Sequence, residues 1–217
     1  MNDDNEKVGS HRRSVPKGQY YEMAMDFRPA RPRMTWENAD ALAPGTQLLA
    51  PPPGRRGFPE YFEPPRFLFK KKRVRRPLDI RLFHSFWLVS DRAKMVFQAV
   101  DHAGFEFAAC EVSVSRGTYD GPRYWLCDAI RVLDALDEEQ SRLEIGIQDD
   151  PKYNNFGQKY YKFRTGAKLV FNEDAIGGAH VFRMAFCYRT VICDQALKDA
   201  CKEAGLLGIK FNNALDI

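Results

Sequence analysis

The chain has 217 residues, 44% hydrophobic and 13% aromatic, enough to bury one sizeable core with a smaller appendage beside it. Its formal net charge of +4 is the small difference between 33 Lys and Arg and 29 Asp and Glu, which argues against a wholly basic nucleic-acid binder. No run approaches the ~18 consecutive apolar residues of a membrane helix. Residues 1–15 carry neither the apolar centre nor the cleavage site of a secretory signal, so the expected location is the cytoplasm.

The charge is uneven. Residues 1–86 hold 17 Lys and Arg against 10 Asp and Glu, whereas residues 87–217 hold 16 against 19. Residues 1–17 have almost nothing to bury and are expected to form a disordered tail. Residues 18–85 then read as a basic, Pro-rich segment with short strands. A partial period of two over 19–27 places Tyr21, Met23, Met25 and Phe27 on one strand face. Nine prolines between positions 29 and 65 fix φ and remove backbone donors, predicting a wrapping, loop-rich stretch. Residues 67–74 suit an edge strand, and the apolar residues at 80, 82 and 86–89 suggest another leading into the main domain, 86–217.

Ser90 precedes an acidic first turn and the apolar stripe Ala93, Val96, Phe97 and Val100, which predicts a capped helix over 91–100. Residues 105–114 read as a strand that ends at the turn RGTYDGP over 116–122. The aromatic-rich stretch 124–136 follows and reads as strand, with a helix as the alternative. Residues 149–166 carry turn chemistry with little period, and 168–171 resumes as strand. The end of the chain predicts strands over 180–186 and 190–193, Asp194 as a helix cap, a helix over 195–204 closed by Gly205, and a last strand over 208–211. The implied fold class is α+β, with a mixed or mainly antiparallel sheet, a few packed helices and a Pro-rich N-terminal segment.

Recognisable catalytic or metal-binding constellations are missing from the sequence. Cys110, Cys127, Cys187, Cys193 and Cys201 sit among apolar neighbours in neither CxxC nor Cys/His spacing, as buried thiols do. His11, His84, His102 and His180 lack a nucleophile elbow, a helical Glu pair or a Cys partner. The acidic group Asp134, Asp137, Glu138 and Glu139 lacks the glycine of a calcium loop, and Gly177, Gly178, Gly205 and Gly208 match no phosphate-cradling pattern. Neither an enzymatic activity nor a cofactor is therefore expected. The strongest local feature is the run 66–76, where seven basic residues accompany Phe67 and Phe69. Its Lys70, Lys71, Lys72 and Arg73 offer a nucleic-acid surface or the charged protection of an edge strand.

Taken in order, WLVSDRAK at 87–94, YWL at 124–126, VLDALD at 132–137, HVFR at 180–183, VICD at 191–194 and GLLG at 205–208 resemble a bacterial immunity-protein family, the one numbered eleven. The resemblance covers about residues 86–212 and departs at 138–170. It implies a non-catalytic antidote that binds a cognate protein toxin of a polymorphic-toxin or contact-dependent secretion system and neutralises it in the cytoplasm. It transfers no catalytic residue. The surface chosen for such a partner is Tyr119 with Asp120, the acidic cluster Asp137, Glu138 and Glu139, and the loop tyrosines Tyr153, Tyr160 and Tyr161, since acidic and tyrosine-rich surfaces suit a basic toxin. The rival reading is a nucleic-acid-binding regulator that uses residues 66–76.

Overall fold

The computed structural model describes residues 19–28, 34–42, 56–70, 78–83, 86–153 and 155–217. In chain order its elements are β1 (Tyr20–Met25), β2 (Met34–Trp36), α1 (Ala39–Leu42), β3 (Arg66–Phe69), β4 (Ile80–Phe83), β5 (Phe86–Ser90), α2 (Asp91–Asp101), β6 (Phe105–Val114), β7 (Tyr124–Ala129), β8 (Val132–Leu133), β9 (Glu144–Ile147), β10 (Lys159–Lys162), α3 (Glu173–Ile176), β11 (Val181–Met184), β12 (Cys187–Asp194), α4 (Gln195–Glu203) and β13 (Ile209–Asn213). They form the α+β fold expected, with mixed sheets. Five strands run in the order β13-β1-β12-β11-β8, six in the order β2-β3-β6-β7-β5-β4, and β9 with β10 makes a separate hairpin. The pairs β8–β11 and β3–β6 are parallel and the others antiparallel.

Alternation along the strands sorts side chains into three cores. Tyr21, Met23, Val181, Val191 and Cys193 from the five-stranded sheet meet Trp87, Val89, Phe105, Cys127 and Ala129 from the six-stranded sheet. Ala93 and Phe97 of α2 and Leu197 and Cys201 of α4 fill the same core. Phe97 stacks on Phe105 at 4.6 Å between ring centroids. The opposite face of the five-stranded sheet packs Tyr20, Phe182, Met184 and Ile192 against Leu169, Phe171 and Ile176. The opposite face of the six-stranded sheet packs Leu88 and Leu126 with Phe67, Phe69 and Tyr124. Because β5 is covered on both faces, all five of its residues are buried.

The helix ends obey the rules read from the sequence. Ser90 Oγ accepts from Ala93 N at 3.2 Å while donating to Asp79 at 2.8 Å. Asp194 Oδ1 accepts from Leu197 N at 3.0 Å. After α4, Gly205 takes the left-handed φ of 61°, and its N–H and that of Leu206 bond Lys202 O and Cys201 O, the paired closure of a Schellman end.

Four local expectations differ from the structure. β3 is flanked by β2 and β6, so residues 66–69 are interior and not an edge. Residues 168–171 make only single bridges, Lys168 to Arg142 and Phe171 to Leu136. Within 149–166, the aromatic Lys159–Lys162 is a strand because Glu144–Ile147 pairs with it. Of the face expected on β1, Tyr21 and Met23 are buried, while Phe27 lies past the strand and is 71% exposed.

One buried charge cluster joins the sheets. Arg183 on β11 donates Nη2 to Asp128 on β7 at 2.8 Å, Nε to Ala129 O at 2.8 Å and Nη1 to Tyr188 O at 2.7 Å. Arg56 ion-pairs the same Asp128 oxygen, and Gly57 N donates to the other at 2.9 Å. Burial pushes the Arg183 guanidinium's pKa down, an effect the Asp128 charge opposes, and a guanidinium remains protonated under such pressure. Asp128→Ala leaves two guanidinium groups without their carboxylate, and it should destabilise the protein by about 3–5 kcal/mol. Urea unfolding of the variant measures that loss.

Candidate partner-binding surface

The five cysteines are free, and Cys127, Cys193 and Cys201 are buried. Burial pushes the thiol of Cys110, and likewise that of Cys201, up to about 12, and it raises Cys127, Cys193 and Cys187 as well. Such thiols stay protonated at neutral pH and lack the thiolate a nucleophile needs. His180 Nδ1 lies 2.7 Å from Asp194 Oδ2, the carboxylate that caps α4. His102 is exposed, and His11 and His84 lie outside the described residues. Among the described residues, no group of three His, Cys, Asp or Glu side chains could hold a metal ion, and no helix is long and apolar enough to cross a membrane.

The feature that stands out is the hairpin. Its register pairs Ile145 with Tyr161 and Ile147 with Lys159. The connecting loop closes where Gln148 N donates to Gln158 O at 2.9 Å and Gly157 N to Gln148 O at 2.8 Å. Gly157 supplies the positive φ of 75° needed there. Asp150 Oδ1 accepts from Lys152 N at 3.0 Å, a local turn of the kind Asp favours. Gly146, opposite Tyr160, leaves room for that ring, which a β-carbon would strike.

The foot of the hairpin is fixed and its outer parts are bare. Tyr161 is buried, donates N–H to Phe186 O at 2.9 Å and packs edge-on against Phe186 at 5.4 Å. Its hydroxyl donates to Glu138 Oε1 at 2.5 Å, and Lys159 pairs the same oxygen while lying 4.2 Å from the Phe186 ring centroid. By contrast Ile145, Ile147, Tyr153 and Phe156 are 43%, 59%, 58% and 56% exposed. These are four of the nine exposed large apolar residues among the described residues, gathered within one short stretch of chain. A cluster of that kind marks an interaction site more often than scattered apolar residues do.

The structure brings together part of the surface chosen from the sequence. Tyr153 is at the exposed tip, Tyr160 half-buried on the hairpin and Tyr161 buried at its foot. Glu138 is engaged by Lys159 and Tyr161. Asp137 holds its own turn, accepting from Gln140 N at 3.0 Å, Gln140 Nε2 at 2.5 Å and Glu139 N at 3.1 Å. Those bonds hold its carboxyl below the usual range. Glu139 is exposed beside them. Tyr119 belongs elsewhere: its ring packs on Phe69 at 6.3 Å and its hydroxyl donates to Pro122 O at 2.6 Å, in the core on the outer face of the six-stranded sheet. Asp120, next to it, is exposed. Lys70 is exposed at the end of β3, and Lys71, Lys72 and Arg73 lie outside the described residues. Sequence reasoning missed Ile145 and Ile147, whose only signal was a brief apolar alternation over 143–147, and Phe156, which carried none.

Glu138 gives the hairpin a pH signature. The hydrogen bonds from Lys159 and Tyr161 hold its carboxyl below its ordinary value of 4.5. With the folded value depressed, its contribution is complete above 4.5 and is lost as pH falls through the folded value. The protection of the Tyr161 amide against hydrogen exchange, taken relative to its intrinsic rate at each pH, should hold from pH 7 to pH 5 and fall in more acid solution. Glu138→Gln should remove that pH-dependent part.

A family model described as "Immunity protein family (Imm11)" matches residues 19–216. No curated protein matches the chain.

Proposed function

We propose, since the chain belongs to this immunity protein family, that it is a non-enzymatic antidote which binds a cognate bacterial toxin or secreted effector in the cytoplasm through the tip of the β9–β10 hairpin. The observation that carries the choice of surface is the pair of exposed aromatics, Tyr153 and Phe156, on a loop whose foot is locked to the core. Aromatic side chains are the common anchors of protein interfaces, since each buries a large area at small entropic cost. A rigid foot reduces the ordering that binding would otherwise require. The neighbouring Glu139, Asp149, Asp150 and Lys152 provide the charged rim that steers encounter without dominating affinity.

A toxin held this way is blocked or kept inactive for as long as the complex lasts, so slow dissociation is the property that protects the cell. Tyr160, Tyr161, Asp137 and Glu138 then act by setting the position of the tip, and Tyr119 with Asp120 lies outside the contact.

Co-expression with the toxin encoded beside the gene tests this reading through cell survival and co-purification of the two chains. Tyr153→Ala and Phe156→Ala should each weaken the complex about 30-fold, equivalent to about 2 kcal/mol, with an unchanged melting temperature because both side chains are exposed. Replacing Lys70, Lys71, Lys72 and Arg73 together should leave protection intact. Loss of protection in that variant, with salt-steep affinity for nucleic acid, would favour the regulator reading instead.

A further inference from the structure

The five-stranded sheet parts between two of its own strands. β1 pairs with β12 only over Tyr20–Glu22, whereas its pairing with β13 runs from Tyr21 to Met25. Past the Glu22–Ile192 pair, β1 and β12 separate, and a cleft of about 480 Å³ opens there. Met23, Met25 and Val191 wall it from the five-stranded sheet, and Trp87 and Leu82 from the six-stranded sheet. Its size and mainly apolar walls are those of a binding pocket, and methionines adapt to apolar occupants of varied shape.

A bulge decides what stands at the mouth. The β11–β12 register passes from Arg183–Val191 straight to Met184–Cys187, so Tyr188, Arg189 and Thr190 are extra residues on β12. The buried Arg183, itself on the cleft wall, donates Nη1 to Tyr188 O at 2.7 Å and holds the bulge in place. Tyr188 and Arg189 are exposed by it, and Arg189 lines the cleft with Phe27. Phe27, Leu82 and Tyr188 are three of the five exposed large apolar residues, among the described residues, that lie outside the hairpin. Asp128 meets the Arg183 charge. Glu22, the carboxylate on the wall, accepts from Asn212 Nδ2 at 2.7 Å, its neighbour on β13 and so on the side of β1 away from β12. Among the described residues the Arg189 guanidinium has no ion pair or hydrogen bond.

We infer, resting on the antidote reading above, that this cleft is a second contact for the toxin and takes a large apolar side chain with an Asp or Glu beside it. The walls bury the apolar side chain, and the carboxylate meets the uncompensated Arg189 guanidinium. The exposed apolar residues around the mouth call for cover by a protein surface, which a small acid cannot supply. Continuity with the hairpin assigns that surface to the same partner. Phe186, whose carbonyl and ring seat Tyr161, is three residues before Arg189, and the exposed Tyr188 lies between them. Arg183 is a positioning residue here, acting through the bulge.

The full chain mixed with the toxin encoded beside its gene tests this contact. A photo-crosslinking phenylalanine analogue at position 82 should capture the toxin at a segment where an apolar residue adjoins a carboxylate. Arg189→Glu should weaken the complex about tenfold, and Leu82→Ala should weaken it too. Both side chains are exposed, so the melting temperatures should not change. Replacing the captured carboxylate by Lys should restore binding to Arg189→Glu. Wild-type affinity in both variants overturns the inference and leaves the antidote reading standing, with the toxin confined to the hairpin. Capture of a second copy of this chain, or of a toxin segment without a carboxylate, overturns it as well. A wild-type chain that forms no complex sinks both readings.

Discussion

The carboxylate of Asp128 is the point on which both sheets depend. Fully buried on β7, it receives Arg183 from β11 of the other sheet and Arg56 from the segment that crosses the outer face. Each guanidinium alone would be costly to bury, and the pair is tolerable because every oxygen of the carboxylate is used. The adjoining Gly57 and Phe58 amides are taken by Asp128 and Glu106. Gly57 is there for a physical reason: its φ is 92°, and a β-carbon would strike the Glu106 carboxylate. One charge thereby fixes the spacing of two sheets and the path of the chain that covers one of them.

On that fixed body sits a short hairpin whose foot is anchored and whose outer residues are exposed. β9 and β10 are outside both large sheets, so they add little to the core and are free to vary in their outward residues. Their position is nonetheless set by Tyr161, Lys159 and Glu138 at the foot. The arrangement separates two demands that conflict within a single element, a firm seat and an exposed apolar surface.

Much of the local structure was legible because its causes are local. Ser90 and Asp194 announce helices through their side-chain oxygens, and Gly205 announces an end through its freedom at positive φ. The ordered motifs across 86–212 pointed to the family whose model extends over 19–216. Pairing was not legible, since nothing in the pattern of residues 19–27 states that β1 sits between β12 and β13. The Pro-rich stretch concealed β2 and α1, elements too short to show a period. The hairpin was hidden for a similar reason: four residues of alternation carry little signal, and turn chemistry around Asp149 and Gly157 dominated the reading. Tyr161 was chosen as a surface residue because it fell in a stretch read as a loop, whereas it is a strand residue buried against Phe186. Tyr119 was drawn into the same group by its turn sequence, although its ring belongs to a core on a different sheet.

The place of β1 has a consequence for synthesis. It pairs with β12 at residues 192–194 and with β13 at residues 209–213, so this interior strand of the five-stranded sheet is made long before either neighbour. While the ribosome is still translating, Tyr20, Tyr21 and Met23 have no sheet to enter, and the loop that must close spans nearly the whole chain, an ordering that slows folding. The five-stranded sheet is complete only after residue 213 has left the exit tunnel, which sets a minimum delay between the translation of β1 and the appearance of the folded protein.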